Sequence, residues 1–266
     1  MNLYLREMDR NKKSLIIWTI ILASTIFLMM AVYPSIAKES KSIEELFKSM
    51  PKALLSAFGL DKLSMSNIFG YYATKGYVFV TLFGSIYSIM LAASMLSKEE
   101  GEKTIEFLLC KPITRTEVVT NKLLSCITNI IILNVLTTAM LFISFEIFKI
   151  ESFSMRIFGL LSIAPLLLHL TFASIGFFMS AIMRKSRSVT SISIGVVLIT
   201  YFLSIAAYIS DELEILKYFT PFEYVNATSI IIGEKMNSTY LLIMLILNIA
   251  FIAAAYIIYN RKDIAV

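Results

Sequence analysis

YVFVTLFGSIYSIMLAASMLSKEEGEKTIEFLLCKPITRTEVVTNKLLSCITNIIILNVLTTAMLFISF, Tyr77 to Phe145, holds the pattern that decides the fold. Two runs free of Asp, Glu, Lys and Arg, 76–97 and 123–145, flank a short charged segment broken by Gly101 and Pro112. A helix rises about 1.5 Å per residue, so about twenty residues cross the hydrocarbon core of a bilayer. Each run is long enough. Backbone polar groups in lipid must be satisfied within a helix or a closed barrel. Barrel strands alternate polar and apolar residues over about ten positions, and these runs do not alternate. The stretch reads as two helices crossing a membrane, joined on one side by a charged turn.

Four further windows, 14–37, 157–183, 188–210 and 236–260, share the property. The composition agrees: of 266 residues, 58% are hydrophobic and 16% charged, the balance of an integral membrane protein rather than a soluble domain. The expected fold class is an all-α integral membrane protein with six transmembrane helices, in a single domain over 1–266. The spans are expected at about 15–34, 77–97, 123–145, 157–183, 188–209 and 239–259. The first window follows Arg10, Lys12 and Lys13 and ends in YPSIAKES, where SIA resembles a weak leader-cleavage site. Its spanning length and the five windows behind it favour a retained anchor.

Six spans place both termini on one side of the membrane. Arg6, Arg10, Lys12 and Lys13, the basic residues of the second and fourth connections, and Arg261 and Lys262 make fourteen of the 24 Lys and Arg. Ten lie in the opposite loops. Short loops rich in Lys and Arg stay in the cytoplasm, so both termini and the charged turn are expected to be cytoplasmic in a multi-pass cell-membrane protein. Topology accounts for the net charge of +5 without a nucleic-acid partner. Cys110 and Cys126 fall on or near this reducing side, which argues against a disulfide framework. His169 is the single histidine, which excludes a multi-histidine metal site within one chain.

Residues 1–13 mix Leu3, Tyr4, Leu5 and Met8 with charges, as a short helix lying flat at the interface would; a disordered basic tail is the alternative. The outer loop, 35–76, contains the S-x-x-E cap Ser42/Glu45 and apolar residues at helical spacing, then Pro51 and Gly59. Two short amphipathic helices are expected there, as a packed cap or a substrate lid. In the outer segment 211–239, Tyr218, Phe219, Phe222 and Tyr224 around Pro221 read as an interfacial aromatic belt or a ligand-stacking surface. Inside the spans Asn134, His169 and Asn248 stand out as polar groups in apolar runs. Such groups either line a substrate path or bond between helices. Pro165 removes one backbone donor four residues before His169.

The charged turn, the segment 98–122, has its own order. Ile105, Leu108 and Leu109 fall at i, i+3 and i+4, the spacing of a short surface helix; Pro112 ends it. Thr114 and Glu117 form a second cap that opens the next helix. A stiff, protruding element of this kind suits the transmission of force from a cytoplasmic partner.

The run E-E-G-E-K-T-I-E-F-L-L-C-K-P-I-T-R, Glu99 to Arg115, followed by Lys122, resembles the hallmark segment of type 2 ATP-binding-cassette (ABC) exporter permeases. The matching residues are Glu100, Gly101, Thr104, Leu108, Leu109, Pro112 and Arg115, and Met50 to Gly59 is similar to an outer segment of the same family. Glu102 and Lys103 separate the Gly from the Thr, where many members have them adjacent. The resemblance implies a membrane path formed by two permease subunits, identical or related. It also implies a cytoplasmic ABC ATPase subunit that binds ATP and Mg and touches the segment at the seven matched residues. Lipids would surround the spans.

No glycine in this chain is followed by lysine. A phosphate-cradling G-x-x-x-x-G-K-[ST] loop is therefore missing, and no ATP cofactor is expected in the chain itself. The expected function is a non-enzymatic permease subunit of an ABC exporter. A sensory or immunity membrane protein that binds a peptide or partner without transport is the alternative. An intramembrane enzyme would need clustered acids, His or Cys at membrane depth, and the windows contain no acid. Copurification with an ATPase discriminates among these readings.

Overall fold

The computed structural model describes residues 3–39, 55, 62–101, 113–183, 186–208 and 211–262. Helix α1 spans Leu3–Lys38. After the outer loop comes α2, Ile68–Tyr71, which runs through a π-helical turn, Tyr72–Gly76, directly into α3, Tyr77–Gly101. Then follow α4, Arg115–Phe148; α5, Met155–Ile182; and α6, Ser186–Ala206. A 3-10 turn, Asp211–Tyr218, and two short helices, α7, Pro221–Tyr224, and α8, Ala227–Gly233, lead to α9, Ser238–Arg261. Six of these helical segments are long and apolar enough to cross a membrane, and the described residues contain no strand.

Burial separates core helices from lipid-facing ones. In the span Ile68–Glu99 and in α5, 61% of the apolar window is buried, against 22% in α1, 17% in α6 and 11% in α9. Helices α3 and α5 form the central pair, α4 lies along α1, and α6 and α9 flank the pair. Association of helices in lipid rests on close van der Waals packing at small residues rather than on hydrophobic transfer. The α3–α5 seam follows that rule: a Cβ on Gly176 would lie 2.6 Å from the Ile89 carbonyl oxygen, and Ala92, Ala93 and Ala181 are fully buried. Ser180 reaches across the seam, where its Oγ accepts from the amides of Leu96 and Ser97 at 2.8 and 2.9 Å.

The chain start differs from the flat interfacial helix expected for 1–13. It is the first three turns of α1, continuous with the span. Its inward face explains why. Tyr4 Oη donates to Thr128 Oγ1 at 3.1 Å, Asn129 Nδ2 lies 3.1 Å from Met8 Sδ, and Glu7 is buried against α4. Glu7, Leu15, Leu22, Ile26, Met30 and Tyr33 form one buried stripe along the helix.

At the other end of the bundle, tyrosine hydroxyls tie the connections to the helices. Tyr33 donates to the Ser66 carbonyl at 2.7 Å, Tyr71 to the Met29 carbonyl at 2.9 Å and Tyr77 to the Val225 carbonyl at 2.8 Å. Phe145 packs against Phe69, Tyr72, Phe153 and Phe158, with ring centroids 5.2–5.7 Å apart. The aromatic belt expected around Pro221 divides. Tyr218 and Phe219 are exposed, while Phe222 and Tyr224 are buried. The two outer amphipathic helices expected within 42–59 lie outside the described residues, except Leu55.

Candidate functional site

Where α1, α3 and α4 end on the face that carries the termini, four charged residues meet. Lys122, on the second turn of α4, is 1% exposed, and its Nζ donates to Glu7 Oε1 and Glu99 Oε1, both at 3.0 Å. Arg10 approaches the same two oxygens at 3.7 and 3.6 Å. Among the described residues, two carboxylates thus face one ammonium and one guanidinium. Removing two charges from water costs several kcal/mol per ion, and only good geometry and hydrogen bonds offset it. The arrangement therefore contributes little net stability, but loss of one partner would leave an uncompensated buried charge. It fixes three helix ends to one another. Glu99 and Lys122 stand at the two roots of the segment 98–122, so the charged turn leaves the bundle from one ion-paired point.

Thr114 forms the helix cap expected from the sequence. Its side chain accepts from the Glu117 amide at 3.2 Å, and Glu117 Oε2 accepts from the Thr114 amide at 2.7 Å. The reciprocal bonds satisfy donors that the first helical turn would otherwise leave open. Arg115, next in the chain, turns toward the end of α9. Its guanidinium donates to the carbonyls of Tyr259, Asn260 and Lys262, the last at 2.7 Å. The last carbonyls of a helix lack partners within it and carry partial negative charge, which a cation complements. Lys262 Nζ in turn donates to the Ala181 carbonyl at the end of α5. Thr120 Oγ1 and Tyr256 Oη share a hydrogen bond of 2.8 Å one turn deeper.

Of the residues expected to contact a partner, Arg115 is placed as just described. Glu100 and Gly101 close α3; the Glu100 side chain lies outside the described residues, as do Thr104, Leu108, Leu109 and Pro112. Of the three polar residues considered for a substrate path, two meet. Asn134 Nδ2 donates to His169 Nδ1 at 3.0 Å, and His169 Nε2 donates to the Val80 carbonyl at 3.2 Å. These partners fix a neutral ring with its proton on Nε2. The ring is 1% exposed and both nitrogens are occupied. Asn248 stands apart, donating to Thr171 Oγ1 at 3.2 Å. A cavity of about 10 Å³, room for about one water, lies beside Asn134, Thr137 and Pro165.

Sequence reasoning paired neither Glu7 nor Arg10 with Lys122 and assigned no role to Glu99. One signal was available. Each lies within a turn or two of a charge-free window, and long apolar helices side by side bring such flanking charges of opposite sign to the same depth.

Comparison with known families decides what this arrangement belongs to. A family model described as ABC-2 family transporter protein matches residues 1–264, nearly the entire chain. The chain belongs to the ABC-2 transporter family. No curated protein matches it. Membership makes the chain a multi-pass membrane component of transport with a permease-type role. ABC-2 permeases in general work with an ABC ATPase. The resemblance read from Glu99 to Arg115 and Lys122 thus points to the same family as the match over the full length.

Proposed function

We propose that this ABC-2 chain is the permease subunit of an ABC exporter, driven by a separate cytoplasmic ATPase subunit through the segment 98–122. One observation carries the reading: the two roots of that segment, Glu99 and Lys122, are joined at 3.0 Å and held to α1 through Glu7. A push on the segment is then shared by α1, α3 and α4 as one block instead of bending a single helix. Arg115 and Lys262 extend the block to α9 and α5. Glu100, Gly101, Thr104, Leu108, Leu109 and Pro112 supply the contact with the ATPase. The face bearing the ion cluster and both termini is cytoplasmic, in keeping with its Lys and Arg. A second permease subunit completes the path.

The test is affinity purification of the tagged full-length chain from native membranes in mild detergent, with mass spectrometry of what copurifies. A stoichiometric P-loop ATPase, lost with Glu100→Ala while membrane insertion persists, is the expected result. If crosslinking before extraction captures no ATPase either, the permease reading gives way to a peptide-binding sensory or immunity role.

A further inference from the structure

Early in α5 the helix gives up one of its own hydrogen bonds. The Leu161 carbonyl would accept from the amide of residue 165, and Pro165 has none. In lipid such a group has no bulk water to turn to, so a donor must come from neighbouring groups or from a bound molecule. Leu161 and Pro165 both line the cavity of about 10 Å³, and Asn134, Thr138 and Tyr72 line it with them. The walls thus come from α4, α5 and the π turn.

Some polar groups of the lining are already engaged. Thr137 Oγ1 donates to the Leu133 and Asn134 carbonyls at 2.9 and 3.1 Å, and Ser162 Oγ donates to the Phe158 carbonyl at 2.9 Å. Others are not. Asn134 commits Nδ2 to the Ile130 carbonyl at 2.9 Å and to His169 Nδ1 at 3.0 Å, while its Oδ1 accepts from none of the described residues. A threonine within a helix can donate to the carbonyl four residues back, as Thr137, Thr171 and Thr200 do. Thr138 makes no such bond among the described residues, nor does the Tyr72 hydroxyl meet a partner there. Three side-chain groups without a protein partner, and one carbonyl without its helical donor, therefore belong to residues around a single small space.

Size and charge narrow what fits. The volume suits one water and excludes anything with a carbon skeleton. The described lining contains no Asp, Glu, Lys or Arg, so an ion would have no counter-charge. Water is neutral and brings two donors and two acceptors. Its hydrogens match the Leu161 carbonyl and Asn134 Oδ1; its lone pairs match the hydroxyls of Thr138 and Tyr72. We propose that this cavity is the binding site of one resident water, which supplies the hydrogen bond that Pro165 cannot and ties the broken turn of α5 to α4. The water extends the polar chain that runs from the Val80 carbonyl through His169 to Asn134. The proline break is then a joint bridged by solvent.

The experiment compares melting temperatures of the full-length chain in one detergent for wild type, T138V, P165A and T138V/P165A. Valine keeps the branched shape of threonine and removes the hydroxyl. With a resident water, T138V deletes one of its partners and lowers the melting temperature by about 2–4 °C. In the P165A background the Leu161 carbonyl regains an amide donor, the water loses that anchor, and T138V has a much smaller effect. Without a water, the Thr138 hydroxyl is an unsatisfied group whose removal costs nothing. A melting temperature unchanged or raised by T138V would therefore overturn the site, and an equal fall in both backgrounds would overturn the link to Pro165. A crystal structure of the wild type that resolves ordered water decides independently, should a variant fail to fold. Density for one water about 2.7–3.2 Å from the Leu161 carbonyl oxygen and from Asn134 Oδ1 is expected; side chains closed over the space would overturn the proposal.

Discussion

The ring of His169 occupies the space where a side chain on Gly84 would begin: a Cβ there would lie 2.2 Å from both Cε1 and Nε2. The absence of that atom is what lets α5 approach α3 closely enough for His169 to reach the Val80 carbonyl. Gly84→Ala should therefore destabilise the protein by about 1–3 kcal/mol, the usual range for overpacking. His169→Ala should also destabilise it, because Asn134 loses a buried partner. The double variant should be less destabilised than the sum of the two, since the methyl then enters vacated space. Melting temperatures of the four forms in one detergent give the coupling. Additive effects would mean that the two residues do not share this contact.

Lys122→Ala would leave Glu7 and Glu99 facing each other without their ammonium. A cost of about 3–5 kcal/mol is expected, as for other buried pairs broken from one side. Lys122→Ala combined with Glu7→Gln and Glu99→Gln should recover much of that loss, because no uncompensated carboxylate remains. Thermal unfolding measures both. Under the proposed coupling, a separate ATPase subunit reconstituted with the triple variant should hydrolyse ATP with weaker dependence on substrate, since the helix ends are no longer joined by charge.

Arg115→Ala should open the end of α9 rather than unfold the bundle. Its bonds run from a charged donor to exposed or half-buried carbonyls, so a loss of about 1–2 kcal/mol is expected locally. Hydrogen exchange should quicken in the last turn of α9 and remain unchanged at the Thr114–Glu117 cap. Arg115→Lys should restore part of the loss, because all three bonds leave one guanidinium nitrogen, Nη1, and an ammonium brings three donors on one nitrogen.

Burial raises the Glu223 carboxyl above its usual value of 4.5, against the opposing bonds from Tyr208 and Asn226 and the charges of Lys217 and Lys62. The protonated form is thus favoured by folding. Its stabilising contribution is complete below 4.5 and is lost as pH rises through the folded value. Melting curves from about pH 4 to 8 should show wild type losing stability relative to Glu223→Gln across that window. A constant difference between the two would show that the carboxyl titrates as it does in the unfolded chain.

The six spans were legible because lipid imposes length and apolarity on any helix that crosses it. The Thr114–Glu117 cap was legible as well, since both of its halves lie within one turn. The ion cluster was not. Glu7, Glu99 and Lys122 are 92 and 23 positions apart, and each alone reads as an ordinary charge flanking a span. The same limit applies to Phe222 and Tyr224, which resemble their neighbours Tyr218 and Phe219 in sequence but turn inward with α7. A side chain's local pattern states what it can tolerate; which helix it meets depends on the packing of the rest.

The π-helical turn at Tyr72–Gly76 has a bearing on how the molecule can vary. A π turn is in effect one residue inserted into an α-helix, and each helical residue turns the chain by about 100°. Everything before the turn is accordingly rotated relative to α3, and that rotation brings Tyr71 to the Met29 carbonyl. Deleting any one residue of the turn would leave α3 intact yet swing Tyr71 to another side of the helix. This point in the chain tolerates a change of side chain more readily than a change of length.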